Sequence, residues 1–188
     1  MISKNITEQQ LVQRLFSKDR SAWKEFYDSY SSGLTYVCMR YIKEPEDVRD
    51  VLQNSFVKMF HAIGTFEYKG SGALKAWSTR IVINESLQQL RSSSKFEIVC
   101  TPEDLPNEEE ENPDLMNIPE SDILEMIRSL PDGYRTVFNL YVFEQKSHKE
   151  IAKLLAIAEN SSASQFHRAK KILMQKINSY RQLKKDIL

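Results

Sequence analysis

The sequence predicts an all-α protein of two small helical domains, an N-terminal helical bundle and a C-terminal helix-turn-helix domain, joined by an acidic flexible linker. Three observations carry that expectation. The 188 residues include five Gly and six Pro, too few for the tight turns of an all-β sandwich, while the abundant Leu, Lys, Glu, Gln, Ile and Arg favour helix. Apolar residues recur at three- and four-residue steps on both sides of the chain's middle, the period of amphipathic helices. Between them, residues 92–120 hold four of the six prolines and the acidic run Glu108 to Glu111, with no usable apolar period.

Charge follows the same division. Residues 1–91 carry 13 Lys and Arg against 10 Asp and Glu, a net +3; residues 92–120 carry 1 against 9, a net −8; residues 121–188 carry 12 against 7, a net +5. The formal charge of zero is therefore an average over segments with different partners. Proline removes backbone donors and like charges repel, so the middle segment reads as a mobile linker. Apolar content of 41% and charged content of 28% are those of a globular protein and exclude full disorder. No stretch approaches the ~20 apolar residues that span a bilayer, and MISKNITEQQ lacks the apolar core of a signal peptide. The expected location is cytoplasmic, with no membrane insertion. Cys38 and Cys100 lie outside any metal-ligand spacing and read as reduced thiols.

In the first part, Thr7-x-x-Gln10 is a capping box that opens a short helix with Leu11, Val12, Leu15 and Phe16 as its apolar stripe. Trp23, Phe26, Tyr27, Tyr30, Leu34, Val37, Cys38 and Tyr41 then recur through a longer helix and are expected in the core. Pro45 suits the first turn of a third helix, with Glu44, Glu46 and Asp47 complementing its dipole. That helix runs to about Ile63. At 100° per residue, Val48, Val51, Leu52, Ser55, Met59 and Ile63 form its core side. Asp50, Gln53 and Val57 face the opposite way, with Phe56 and Phe60 at the margin. An apolar Val beside an aromatic edge and two hydrogen-bonding side chains suits a protein partner; a solvated face with one stray Val is the plainer alternative.

The loop Gly64 to Gly72 (GTFEYKGSG) precedes a helix from about Ala73 to Arg91. On it, Ala76, Ile83, Leu87 and Leu90 project one way, and Trp77, Arg80, Asn84 and Arg91 another. A ring for stacking, cations for phosphate and an amide for a base edge suit unstacked single-stranded nucleic acid. Trp77 as core filler is the alternative.

In the second part, Ile123, Leu124, Ile127 and Leu130 mark a helix ended by Pro131-Asp132-Gly133, and Tyr134 to Phe143 a second, buried one. Ser147-x-x-Glu150 is another capping box. After the break at residues 156–159, Asn160, Ser161 and Ser162 offer N-cap side chains for a last helix. A capped helix, a short turn and a capped basic helix make the helix-turn-helix outline. In the last helix Phe166, Leu173 and Ile177 face inward, and Ser164, His167, Arg168, Lys171 and Gln175 share the outward side. Residues 160–185 contain seven Lys and Arg and no acid, the footprint of a phosphate-binding surface whose Ser, Gln and Arg near the helix start could reach base edges in a major groove. A merely solvated basic helix is the alternative.

These residues resemble the extracytoplasmic-function (ECF) subfamily of bacterial RNA polymerase sigma factors over nearly the whole chain. The stretch EDVRDVLQNSFVKMF carries Asp50-x-x-Gln53-x-x-Phe56, FEYKGSGALKAWSTRIVINESLQQLR matches around Trp77, Ile81, Asn84 and Arg91, and LPDGYRTVFNLYVFEQKSHKEIAKLLAIAENSSASQFHRAKKIL looks like the family's C-terminal helix-turn-helix. The resemblance implies a region-two-like domain over residues 1–91, a linker over 92–121, and a region-four-like domain over 122–188. It implies docking of Asp50, Gln53, Phe56 and Val57 on the β′ clamp helices of core RNA polymerase. It implies capture of the melted minus-ten strand by Ser71, Trp77, Arg80, Asn84 and Arg91. Ser161, Ser162, Ser164, Gln165, Arg168 and Lys171 would bind minus-thirty-five duplex, with the β flap as the second domain's polymerase partner and the acidic linker threading into polymerase channels. It further implies an anti-sigma partner.

Two positions depart from the family's pattern: Ala156 stands where Gly is usual, and Ser162 and Ala163 stand where larger or basic residues are frequent. No P-loop, catalytic triad or zinc constellation is present in the sequence, so no enzyme activity, cofactor or metal is expected. The competing functions are a stand-alone helix-turn-helix regulator with an N-terminal sensing or dimerisation domain, and a metal-dependent nuclease built on Glu108 to Glu111.

Overall fold

The computed structural model describes residues 7–92 and 118–185, which belong to two separate compact units. Every regular element among the described residues is helical, as the composition and apolar period predict. No described helix is long and apolar enough to cross a membrane. The acidic run Glu108 to Glu111 and Cys100 lie outside the described residues.

The first unit comprises α1 (Glu8–Phe16), α2 (Arg20–Met39), α3 (Pro45–Ala62), a 3-10 turn (Ile63–Thr65) and α4 (Ala73–Ser92). Both arms of the predicted capping box form: the Thr7 backbone N–H donates to Gln10 Oε1 at 3.0 Å, and the Gln10 N–H donates to Thr7 Oγ1 at 3.3 Å. Leu11, Val12 and Leu15 are buried, but Phe16 at the margin of their stripe is 42% exposed. On α2, Phe26, Leu34 and Cys38 are buried, and Tyr41 just beyond the helix is fully so. Tyr27 is 54% exposed, against the expectation of core, because one residue is 100° of turn and Phe26 already takes the inward position.

The predicted core side of α3 is correct at Val48, Val51, Ser55, Met59 and Ile63. On α4 the inner side is wider than the apolar residues suggest. Ser78 and Ser86 are buried, while Ala76, expected inside, is exposed. The Ser55, Ser78 and Ser86 hydroxyls donate to the carbonyls of Val51, Leu74 and Val82, four residues back, at 2.7, 2.8 and 2.9 Å. Each polar group is satisfied within its own helix, so a small residue can occupy the interior without an orphaned hydroxyl. Burial raises the Cys38 thiol to about 11, against a weaker opposing effect of the Ser86 hydroxyl, so the thiol is uncharged and inert.

The second unit comprises α5 (Glu120–Arg128), α6 (Asp132–Val142), α7 (His148–Leu155) and α8 (Glu159–Lys185). Ile127, Leu130, Ala169 and Leu173 form one cluster of its core, with Ile123, Met126, Tyr134, Phe138 and Ile172 packed around them, and Val137, Leu140 and Ile151 are fully buried as well. Three boundaries differ from the sequence expectation. Helix α5 opens at Glu120, inside the segment read as linker. Helix α6 opens at Asp132, inside the predicted stop, because Pro131 suits the position before a helix and Asp132 favours its first turn. Helix α8 opens at Glu159, so Asn160, Ser161 and Ser162 lie within its first turn.

Ala156 ends α7 in the left-handed region at φ 57° and ψ 45°, where its Cβ crowds the backbone. Ala156→Gly is expected to stabilise the second unit by about 1 kcal/mol and to raise its melting temperature by about 4–8 °C. Thermal unfolding followed by circular dichroism checks this, and an unchanged or lower midpoint refutes it.

Candidate functional site

Three surfaces bring together the side chains singled out in the sequence. On the outer face of α3, Asp50 and Gln53 are exposed, Val57 is 51% exposed and Phe56 is half-buried. The Phe56 ring is held by α2, 5.8 Å from Phe26 and 4.9 Å from Tyr27 between centroids. Phe60 packs on Trp23 at 5.1 Å, and Lys18 Nζ lies 5.7 Å from its centroid. The apolar part of this face therefore spans two helices, with exposed Tyr27 joining it. Spacing along α3 alone could not show Tyr27; its position one residue beyond the inward Phe26 is the signal that places it outside.

On α4, Arg80, Asn84 and Arg91 are exposed and Trp77 is half-buried. The Trp77 ring lies 5.1 Å from that of Phe66, which is 8% exposed, at an interplanar angle of 47°. Phe66 belongs to the glycine-bearing loop, so one residue of that loop backs the tryptophan. Ser71 is exposed between Gly70 at φ 117° and Gly72 at φ 86°, values that favour glycine at both positions. The end of this loop is tied to α1: the Gly72 and Leu74 N–H groups donate to the Glu8 carboxylate at 3.0 and 3.1 Å, and the Tyr30 hydroxyl donates to it at 3.3 Å. Burial, helped by the Glu8 charge, pushes the Tyr30 hydroxyl up to about 12. Sequence reasoning missed Glu8, since nothing local links it to residues so far along the chain.

On α8 the outward stripe runs through Ser161, Ser164, Arg168 and Lys171, of which Lys171 is exposed and the others half-buried. Ser162 and Gln165 correct the sequence expectation: they are 0% and 1% exposed and face into the unit. Their spacing to the buried Ala169 and Leu173 follows one helical stripe, the stripe that packs on α6 and α7. The Ser162 hydroxyl lies 3.0 Å from His148 Nδ1. The His148 ring stacks on Tyr141 at 4.7 Å and 19°, and Phe166 covers both rings at 4.3 Å from Tyr141 and 5.8 Å from His148. Burial lowers the His148 pKa, with Glu159 opposing the effect, so the ring is neutral at pH 7.

The interior of the second unit also holds an apolar groove of about 380 Å³ between α5, α6 and α8, lined by Met126, Phe138, Phe166, Leu173 and Met174, with Lys170 at its edge. Among the described residues, no group of His, Cys, Asp or Glu is arranged to hold a metal ion. The outward chemistry is that of recognition: an amide-carboxylate-aromatic face, an aromatic-guanidinium-amide stripe, and a hydroxyl-guanidinium-ammonium stripe.

Comparison with known proteins matches each unit to a family model. A family model of sigma-70 region 2 matches residues 26–96, and one of sigma-70, region 4 matches residues 120–173. An ECF RNA polymerase sigma-E factor of Haemophilus influenzae is 26% identical over 191 residues, covering 94% of this chain and 98% of that protein. An RNA polymerase sigma-H factor of Pseudomonas aeruginosa is 26% identical over 178 residues, covering 88% and 91%. The solved structure of CnrH in complex with the cytosolic domain of CnrY aligns at 19% identity and a TM-score of 0.48, covering 90% of this chain and 96% of that one. The match of the first unit to region 2 disfavours the stand-alone regulator, in which that unit would be a sensing or dimerisation domain. With both regions matched in order, and the alignments to sigma factors running through nearly the full length, the chain belongs to the sigma-70 family as an ECF sigma factor, which binds core RNA polymerase and directs promoter-specific initiation of transcription.

Proposed function

We propose that the three surfaces divide the work of initiation. The α3 face, with Asp50, Gln53, Phe56 and Val57, docks on the β′ clamp helices of core polymerase. The α4 stripe and its loop, with Ser71, Trp77, Arg80, Asn84 and Arg91, take the melted minus-ten strand. The α8 stripe, with Ser161, Ser164, Arg168 and Lys171, enters the major groove of the minus-thirty-five element. Burial removes Ser162 and Gln165 from that base-reading set. The factor works in the cytoplasm and has no active site of its own, borrowing catalysis from the polymerase. An anti-sigma protein that covers these surfaces would hold it inactive, and the apolar groove of the second unit suits such a partner.

The observation that carries this division is the α4 stripe, where a tryptophan backed by Phe66 lines up with exposed guanidinium and amide groups. Stacking on an indole is tolerant of base identity, while an amide reads a base edge, which is the combination an opened strand requires. Run-off transcription with purified core enzyme, on a promoter selected by the holoenzyme from random-sequence DNA, tests the whole assignment.

Its docking part is separable. Asp50 and Gln53 are both exposed, so Asp50→Ala combined with Gln53→Ala leaves the melting temperature unchanged and weakens core binding by about tenfold, about 1.4 kcal/mol. Wild-type affinity in a titration of labelled double variant with core enzyme refutes the docking face.

A further inference from the structure

The start of α4 is held by another helix. Gly70 and Gly72 have φ of 117° and 86°, and a glycine at the head of a helix brings no side chain to satisfy the first free N–H groups. Glu8 of α1 supplies what is missing, accepting from the Gly72 N–H at 3.0 Å and the Leu74 N–H at 3.1 Å. Its charge also complements the helix dipole. Glu8 is itself held in place. It lies in the first turn of α1, within the capping box of Thr7 and Gln10, and the Tyr30 hydroxyl donates from α2 at 3.3 Å to Oε2, the oxygen that also accepts from Gly72. Leu11, Val12 and Leu15 anchor α1 in the core.

Trp77 lies three residues beyond Leu74, less than one turn from the capped end. We propose that Glu8 is a positioning residue for strand capture, setting from α1 where α4 begins and therefore how Trp77, Arg80 and Asn84 are presented. The inference rests on the assignment of the α4 stripe to the melted strand. Without the carboxylate, Leu74, Val82 and Leu87 still hold α4 against the bundle, so the first turn and the loop lose register while the unit stays folded.

The test uses the full-length factor with core enzyme and four variants, Glu8→Ala, Glu8→Gln and Glu8→Asp, with Trp77→Ala for comparison. The probes are a selected duplex promoter and a fluorescent single strand of its minus-ten region. Glu8→Ala is expected to slow open-complex formation and weaken single-strand binding by about tenfold, with core affinity unchanged. Glu8→Gln keeps one acceptor oxygen at the same reach and recovers part of the loss, whereas Glu8→Asp is one methylene too short and does not. A role in folding alone would lower core affinity in parallel and would not separate Gln from Asp, and that result overturns the proposal. Wild-type capture by Glu8→Ala while Trp77→Ala is defective overturns the positioning role alone. Wild-type capture by both variants overturns the α4 assignment as well.

Discussion

Arg135→Ala is expected to destabilise the second unit strongly while the first stays intact. The Arg135 side chain is 1% exposed, and its guanidinium donates to the carbonyls of Arg128 and Leu130 at 3.2 and 3.0 Å and pairs with Asp132 at 2.9 Å. It thus joins the end of α5 to the beginning of α6. Burial disfavours its charge, and the nearby Asp132 carboxylate opposes that effect. Truncation removes the donor to the Arg128 and Leu130 carbonyls and the ion-pair partner of Asp132, whose side chain is 27% exposed, a loss of about 3 kcal/mol, against a total of about 5–15 kcal/mol for a whole domain. Both tryptophans, Trp23 and Trp77, belong to the first unit, so the two units report separately. Urea unfolding of Arg135→Ala should keep the wild-type transition by tryptophan fluorescence and lose part of the helical signal by circular dichroism at low denaturant. A wild-type circular dichroism profile refutes the expectation. Because α8 belongs to the affected unit, duplex binding at the minus-thirty-five element falls with it.

The second large effect concerns promoter opening. Trp77→Ala is expected to weaken binding of the holoenzyme to the single-stranded minus-ten probe by about 5- to 150-fold, the range of about 1–3 kcal/mol for one stacked base. The substitution also uncovers Phe66, which lies 5.1 Å away, so some stability is lost with it. Trp77→Phe separates the two effects: a smaller ring preserves contact with Phe66 and part of the stacking, and its probe affinity should lie between those of wild type and Trp77→Ala. If Trp77→Ala binds the probe as wild type does, the tryptophan is core filler and the strand-capture surface lies elsewhere.

Much of the architecture could be read from short segments because the forces that set it are local. The boxes at Thr7 and Gln10 and at Ser147 and Glu150 close within one turn, so residue identity at two positions is enough to mark a helix start. The inner side of α3 follows from angle alone, since Val48, Val51, Ser55 and Met59 lie on one side of a regular helix whatever packs against it. Ala156, which stands where the resembled family usually has Gly, adopts the left-handed conformation at the end of α7.

Other features needed the packed molecule. Ser162 and Gln165 share the polar character of their neighbours Ser161 and Ser164, and only the packing of α7 and α6 against α8 sends one pair inward and leaves the other outward. Tyr27 and Phe26 are both aromatic, so composition does not say which is covered. Arg135 is a charged residue in a helix, and its burial depends on carbonyls delivered by the end of another helix.

By itself the sequence determined where the box-capped helices α1 and α7 begin, which residues of α3 share a face, and the division into two helical units with an acidic stretch between them, because capping and periodicity act over a few residues. The tertiary structure alone decided which polar residues are sealed and which side chain holds the start of the strand-reading helix. Glu8 and Leu74 are 66 residues apart, and a hydrogen bond over that separation exists only after two helices have been brought side by side by the burial of their apolar stripes.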